Sequence, residues 1–111
     1  MRGYRITPQV QEQIIQIARY IKEELHSVIA MNAFLELMEK KIASLSVFPE
    51  RAVLTKELKW RTRGIRVLPV KNYLLYFRVD NNNCIVYVIA VIYAHRDQSK
   101  AMEDLLLHLL H

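Results

Sequence analysis

The chain of 111 residues holds two glycines, three prolines and a single cysteine. With only Gly3 and Gly64, it has no glycine-rich loop to bring backbone amides around a phosphate. One cysteine, Cys84, excludes a disulfide framework within the chain, which fits a reducing compartment and an expected cytoplasmic location. The histidines at 26, 95, 108 and 111 lack the spacing of metal ligands, so neither a metal nor a cofactor is expected. Apolar runs stop short of the ~18 residues a membrane helix needs, so no membrane partner is expected. The start, Met1-Arg2-Gly3-Tyr4-Arg5, has no apolar signal region. No Ser-His-Asp or Cys-His arrangement stands out locally.

What the chain does have is apolar content, 52% of its residues, enough for one core in one domain spanning residues 1–111. Its densest part, from Gly64 to Asp97, reads as three consecutive strands. Tyr73, Leu75, Phe77 and Val79 alternate with Leu74, Tyr76 and Arg78, placing the two sets on opposite faces. Asp80-Asn81-Asn82-Asn83 predicts a hairpin turn, since these residues tolerate left-handed backbone and bond their own amides. Cys84 to Tyr93 is apolar on both faces and rich in β-branched residues, which predicts a central strand covered on both sides, with Cys84 as a core thiol.

Tyr4 to Thr7 predicts a short first strand. Thr7-Pro8 then starts a helix whose stripe is Val10, Ile14, Ile17, Ala18, Ile21 and Leu25. Ser27 caps a second helix with Met31, Phe34, Leu35, Met38, Ile42 and Leu45 on one face, ended before Pro49. After the sheet, Asp97 or Ser99 can cap a last helix with Met102, Leu105, Leu106 and Leu109. That stripe serves either the core or a contact with a second copy or partner. The expected fold is α+β: a small antiparallel twisted sheet of about four strands, a two-helix hairpin on one face and a short C-terminal helix.

Charge is unevenly spread. From Arg51 to Lys71 seven cations face one acid, Glu57, a net +6 in a chain whose total is +5. Such a local excess suits an anionic target, and its members Lys59, Trp60, Arg61, Arg63, Arg66 and Lys71 are the candidate contacts. Trp60 can stack on a base or pin its loop to the core. At the exit of the last strand stand Tyr93, His95, Arg96 and Asp97. Cleaving RNA through its own 2′-hydroxyl needs a base, an acid and cations, roles that Tyr93, His95, Arg66 and Arg96 can fill chemically. The bland reading makes Arg96-Asp97 an ion pair and helix cap, and Tyr93 sheet packing.

Three segments carry a resemblance: Ser44-Leu-Ser-Val-Phe-Pro-Glu-Arg51, the run from Gly64 to Val79 with its Leu68-Pro-Val-Lys-Asn-Tyr-Leu-Leu-Tyr76, and Tyr93-Ala-His-Arg-Asp97. Together they resemble the RelE/ParE superfamily of bacterial type II toxins, over roughly Tyr4 to Met102. The resemblance implies an antitoxin as partner and one of two activities. RelE-like members cut mRNA in the ribosome; ParE-like members poison DNA gyrase. Leu74 stands where a RelE-like ribonuclease is expected to hold an arginine, and the long helices look more ParE-like. Gyrase is therefore the expected target, with ribosome-dependent mRNA cleavage as the alternative and an inert binding module of the same fold as the third reading.

Overall fold

Thr7 and Pro8 turn a strand into a helix. In the computed structural model, which describes residues 3–94, Gly3–Ile6 form β1 and Pro8–Glu24 form α1. Thr7 stays extended, and its hydroxyl accepts from the Val10 amide at 3.2 Å. Pro8 fills a position whose amide would have no helical partner anyway. Val10, Ala18 and Ile21 are buried, whereas Leu25, past the helix end, stays 59% exposed. His26 adopts a positive φ of 51° and reverses the chain. Ser27 then caps α2 (Val28–Ser44), its hydroxyl accepting from the Ala30 amide at 3.0 Å. Ser27→Ala is expected to remove about 1 kcal/mol of stability, read as a lower urea midpoint at unchanged slope.

From α2, Phe34, Met38 and Ile42 enter the core, with Leu45 just beyond. Leu35, expected on that stripe, lies at its margin and is 36% exposed. Pro49 breaks the helical path, and Arg51 folds back to donate to the Ser44 carbonyl at 3.3 Å and to the Ser44 hydroxyl. A cation is thereby held at the negative end of α2.

Five strands form one sheet in the order β1-β5-β4-β3-β2. The remaining elements are β2 (Val53–Leu54), the single turn α3 (Leu58–Arg61), β3 (Ile65–Val70), β4 (Tyr73–Asp80) and β5 (Ile85–Tyr93). Two features depart from the expected four-stranded antiparallel sheet. β1 runs parallel to β5, from Gly3 opposite Ile85 to Ile6 opposite Val88, because both helices lie in the crossover between them. The fifth strand, β2, is two residues long and held by pairing with Val67 and Arg66. The expected C-terminal helix lies outside the described residues.

The alternation along β4 divides the interior as expected. Tyr73, Leu75, Phe77 and Val79 join the helices in one apolar cluster. Leu74 and Tyr76 join Trp60, Ile65, Ile89, Ala90 and Ile92 in a second cluster on the opposite face. Between Tyr76–Ala90 and Phe77–Val88 the register shifts, leaving Ile89 as an extra residue in β5. That bulge sends both Ile89 and Ala90 to the second cluster, so β5 is covered on both faces.

The β4–β5 turn corrects the reading of Cys84. Asp80 accepts from the amides of Asn82 (3.1 Å) and Asn83 (3.2 Å), and from the Asn83 side chain at 2.8 Å. The turn continues through Cys84, which takes a φ of 54° and is exposed; the strand begins only at Ile85. Cys84 is thus a turn residue, not a core thiol. The Asn83 side chain, then the Asn83 amide, holds the Asp80 carboxyl below its ordinary 3.8. A depressed folded value contributes stability above that range and loses it as pH falls through the folded value. Asp80→Asn is expected to flatten the acid limb of the stability–pH curve below about pH 4, measured by urea unfolding at stepped pH.

Candidate functional site

Two cations of the basic segment are used inside the molecule. Besides Arg51, Arg66 donates through an Nη to the Ala52 carbonyl at 2.7 Å and is half-buried. Its register partners are Leu54 and Phe77. Residues directly opposite share a face, so Arg66 lies on the helix side of the sheet with Phe77. Its guanidinium ties the Ala52 loop to β3. Lys59 and Arg63 lie over the Trp60 ring, 4.9 Å and 5.5 Å from its centroid. Trp60 itself is 4% exposed in the second cluster. Its ring pins α3 to the sheet and offers no open face for a base. Arg61 is exposed on α3, and Lys71 is exposed at the β3–β4 turn with a φ of 53°.

Of the residues proposed for RNA chemistry, Arg66 and Tyr93 are described, and they lie apart in the sheet. Tyr93 sits opposite Tyr73, four residues along β4 from the partner of Arg66, and one strand further across the sheet. Strand geometry then separates the Arg66 and Tyr93 backbones by roughly 16 Å. Tyr93 packs edge-on to Tyr73 at 5.8 Å, and Tyr73 meets Phe34 at 5.2 Å. Burial first, then the neighbouring Tyr93 and Tyr20, pushes the Tyr73 phenol above its ordinary 10.0. His95 and Arg96 lie outside the described residues. On the opposite face, Ile65, Val67 and Leu74 form an apolar surface packed into the second cluster.

A groove of about 670 Å³ opens beside Tyr93, between α1 and the ends of β4 and β5. Gln13, Tyr20, Leu25, Asn72, Tyr73 and Tyr93 line it, and none of its lining side chains is charged. There β5 runs beyond the reach of β1, and the Gln13 side-chain oxygen accepts from the Val91 amide at 3.0 Å. Amides and phenols suit an uncharged, hydrogen-bonding guest better than a phosphate. Among the described residues no three His, Cys, Asp or Glu side chains gather as a metal site, and no helix is long and apolar enough to cross a membrane.

Sequence reading missed one arrangement. Arg5 on β1 stands opposite Tyr87 on β5, which stands opposite Arg78 on β4, and the Arg78 guanidinium lies 4.6 Å from the Tyr87 ring centroid. Each strand by itself shows one ordinary arginine. Only the cross-strand register sets them in a row.

The described residues thus form a helical hairpin on one face of a five-stranded sheet closed by a parallel N-terminal strand. Residues 4–98 match the family profile of the ParE toxin of type II toxin–antitoxin systems, parDE. The chain belongs to that family. Two solved structures share the fold. One is the RelBE2 toxin–antitoxin complex of Mycobacterium tuberculosis, at 15% identity and a TM-score of 0.59 over 83% of this chain and 96% of the other. The second is the isolated RelE toxin of E. coli, at 16% identity and a TM-score of 0.55 over 94% and 98%. Compared by sequence with curated proteins, the chain matches none.

Proposed function

We propose that this toxin arrests growth by poisoning DNA gyrase in the cytoplasm and is neutralised by a cognate antitoxin. The observation that carries this reading is the use of Arg66 and of the Ile65-Val67-Leu74 surface. Arg66 bonds the Ala52 carbonyl on the helix side, while Ile65, Val67 and Leu74 on the other side pack into the second cluster. A phosphoryl-transfer site needs cations aimed at the developing charge, and neither place supplies one. The antitoxin follows from the family match and from the M. tuberculosis neighbour, which was solved as a toxin–antitoxin complex.

Inducing the chain in bacteria without an antitoxin tests the proposal. The expected outcome is growth arrest with DNA breaks and altered plasmid supercoiling, while the 5′ ends of a translated reporter mRNA stay unchanged. New mRNA ends at codon boundaries would instead support the RelE-like ribonuclease with Tyr93, His95 and Arg96. Undisturbed growth would favour the inert binding module.

A further inference from the structure

Among the described residues, the face of the sheet away from the helices carries a line of cations. Arg5, Tyr87, Arg78 and Ile65 form one cross-strand row over β1, β5, β4 and β3. Arg5 and Arg78 are exposed, two strand spacings apart, or roughly 10 Å. Beyond Ile65 the row meets Trp60, which shares its apolar cluster and carries Lys59 and Arg63 over its ring. Two acids stand near, Glu57 beside Tyr76 and Asp80 beside Arg78, the latter with its oxygens engaged by Asn82 and Asn83. Among the described residues, Arg5, Lys59, Arg63 and Arg78 outnumber Glu57 and Asp80 there, an excess of positive charge.

We infer that this face binds the phosphate backbone of duplex DNA, with Arg5 and Arg78 as its central contacts. Charge complementarity identifies the ligand as a polyanion. The aromatics narrow the class further. Single strands are held by stacking bases on open rings, whereas the Tyr87 ring carries Arg78 and Trp60 is 4% exposed. Cations without a stacking platform suit a duplex, whose phosphates face outward and whose bases are already stacked. The inference deepens the gyrase reading and rests on it for a biological target, since gyrase works on duplex DNA. It adds the DNA itself as a direct contact of the toxin.

The test is fluorescence anisotropy of a labelled duplex of about 20 base pairs with the full chain, from about 50 to 200 mM salt. The wild type is expected to bind, with affinity falling steeply as salt rises. Arg5→Ala with Arg78→Ala is expected to lower the log–log salt slope by about 1.8 and the affinity on the order of tenfold to a hundredfold. The double lysine variant, Arg5→Lys with Arg78→Lys, keeps two point charges and is expected to retain the slope. Thermal melting of all three confirms that the exposed substitutions leave the fold intact. Absence of duplex binding by the wild type overturns the inference, as does an alanine variant with the wild-type slope or a lysine variant as weak as alanine. A parallel supercoiling assay separates the two readings. Gyrase inhibition without duplex binding removes this surface and leaves the target, and duplex binding without inhibition does the reverse.

Discussion

Phe77→Ala is expected to destabilise the protein by about 3–5 kcal/mol. The Phe77 ring is fully buried in the cluster that joins sheet and helices, in the strand that pairs with both β3 and β5. Truncation loses the transfer energy of the ring and leaves a cavity that three hydrogen-bonded strands cannot collapse around. Domains of this size are stable by only ~5–15 kcal/mol, so the variant approaches the threshold of folding. Urea unfolding measures the loss; where the variant is too unstable, Phe77→Leu gives a smaller shift at the same position.

Trp60→Ala is the second large effect, again about 3–5 kcal/mol, and it separates two roles of the residue. Trp60 is almost wholly buried, and its indole Nε1 has no hydrogen-bond partner among the described residues. Removing that N–H therefore forfeits no bond, and the side chain acts by bulk. Trp60→Phe keeps one aromatic ring and leaves a smaller cavity, so it is expected to cost about 1–2 kcal/mol, well under the alanine variant. Toxicity should follow stability across this pair, with the phenylalanine variant toxic. Loss of toxicity in a stable Trp60→Phe protein would instead assign the indole to target contact. Urea midpoints and growth curves of both variants supply the comparison.

Much of the fold is written in local chemistry. Thr7-Pro8 and Ser27 announce both helix starts because a cap needs only residues within one turn. The two faces of β4 follow from a period of two, which no tertiary context altered. What escaped the sequence is non-local. The pairing of β1 beside β5 joins residues some eighty positions apart, and β2 is too short to show any period. The Asn-rich turn needed one more residue than its three asparagines supply, and Cys84 took that place.

The candidate site was less legible for the same reason. Seven cations within 51–71 look alike in a sequence, but Arg51 and Arg66 bond carbonyls of their own chain while Lys59 and Arg63 cover Trp60. Strand polarity decided which way Arg66 points, and its even spacing from Leu68 and Val70 put it on the helix side. Leu74 was easier to place. Its apolar character was visible in the chain, and it lies between Pro69 and Ile92, packed against the second cluster. The Arg5–Tyr87–Arg78 row needed the register of three strands before it existed as a feature.

The most direct test of the account is DNA cleavage by purified gyrase in the presence of this chain. Supercoiled plasmid, gyrase and ATP are incubated with the toxin, stopped with detergent and protease, and resolved for linear DNA. The account predicts linear product that grows with toxin concentration, requires gyrase, and disappears when cognate antitoxin is added first. Plasmid that gyrase supercoils at the normal rate with no linear product, from toxin that still arrests growth in cells, would contradict it.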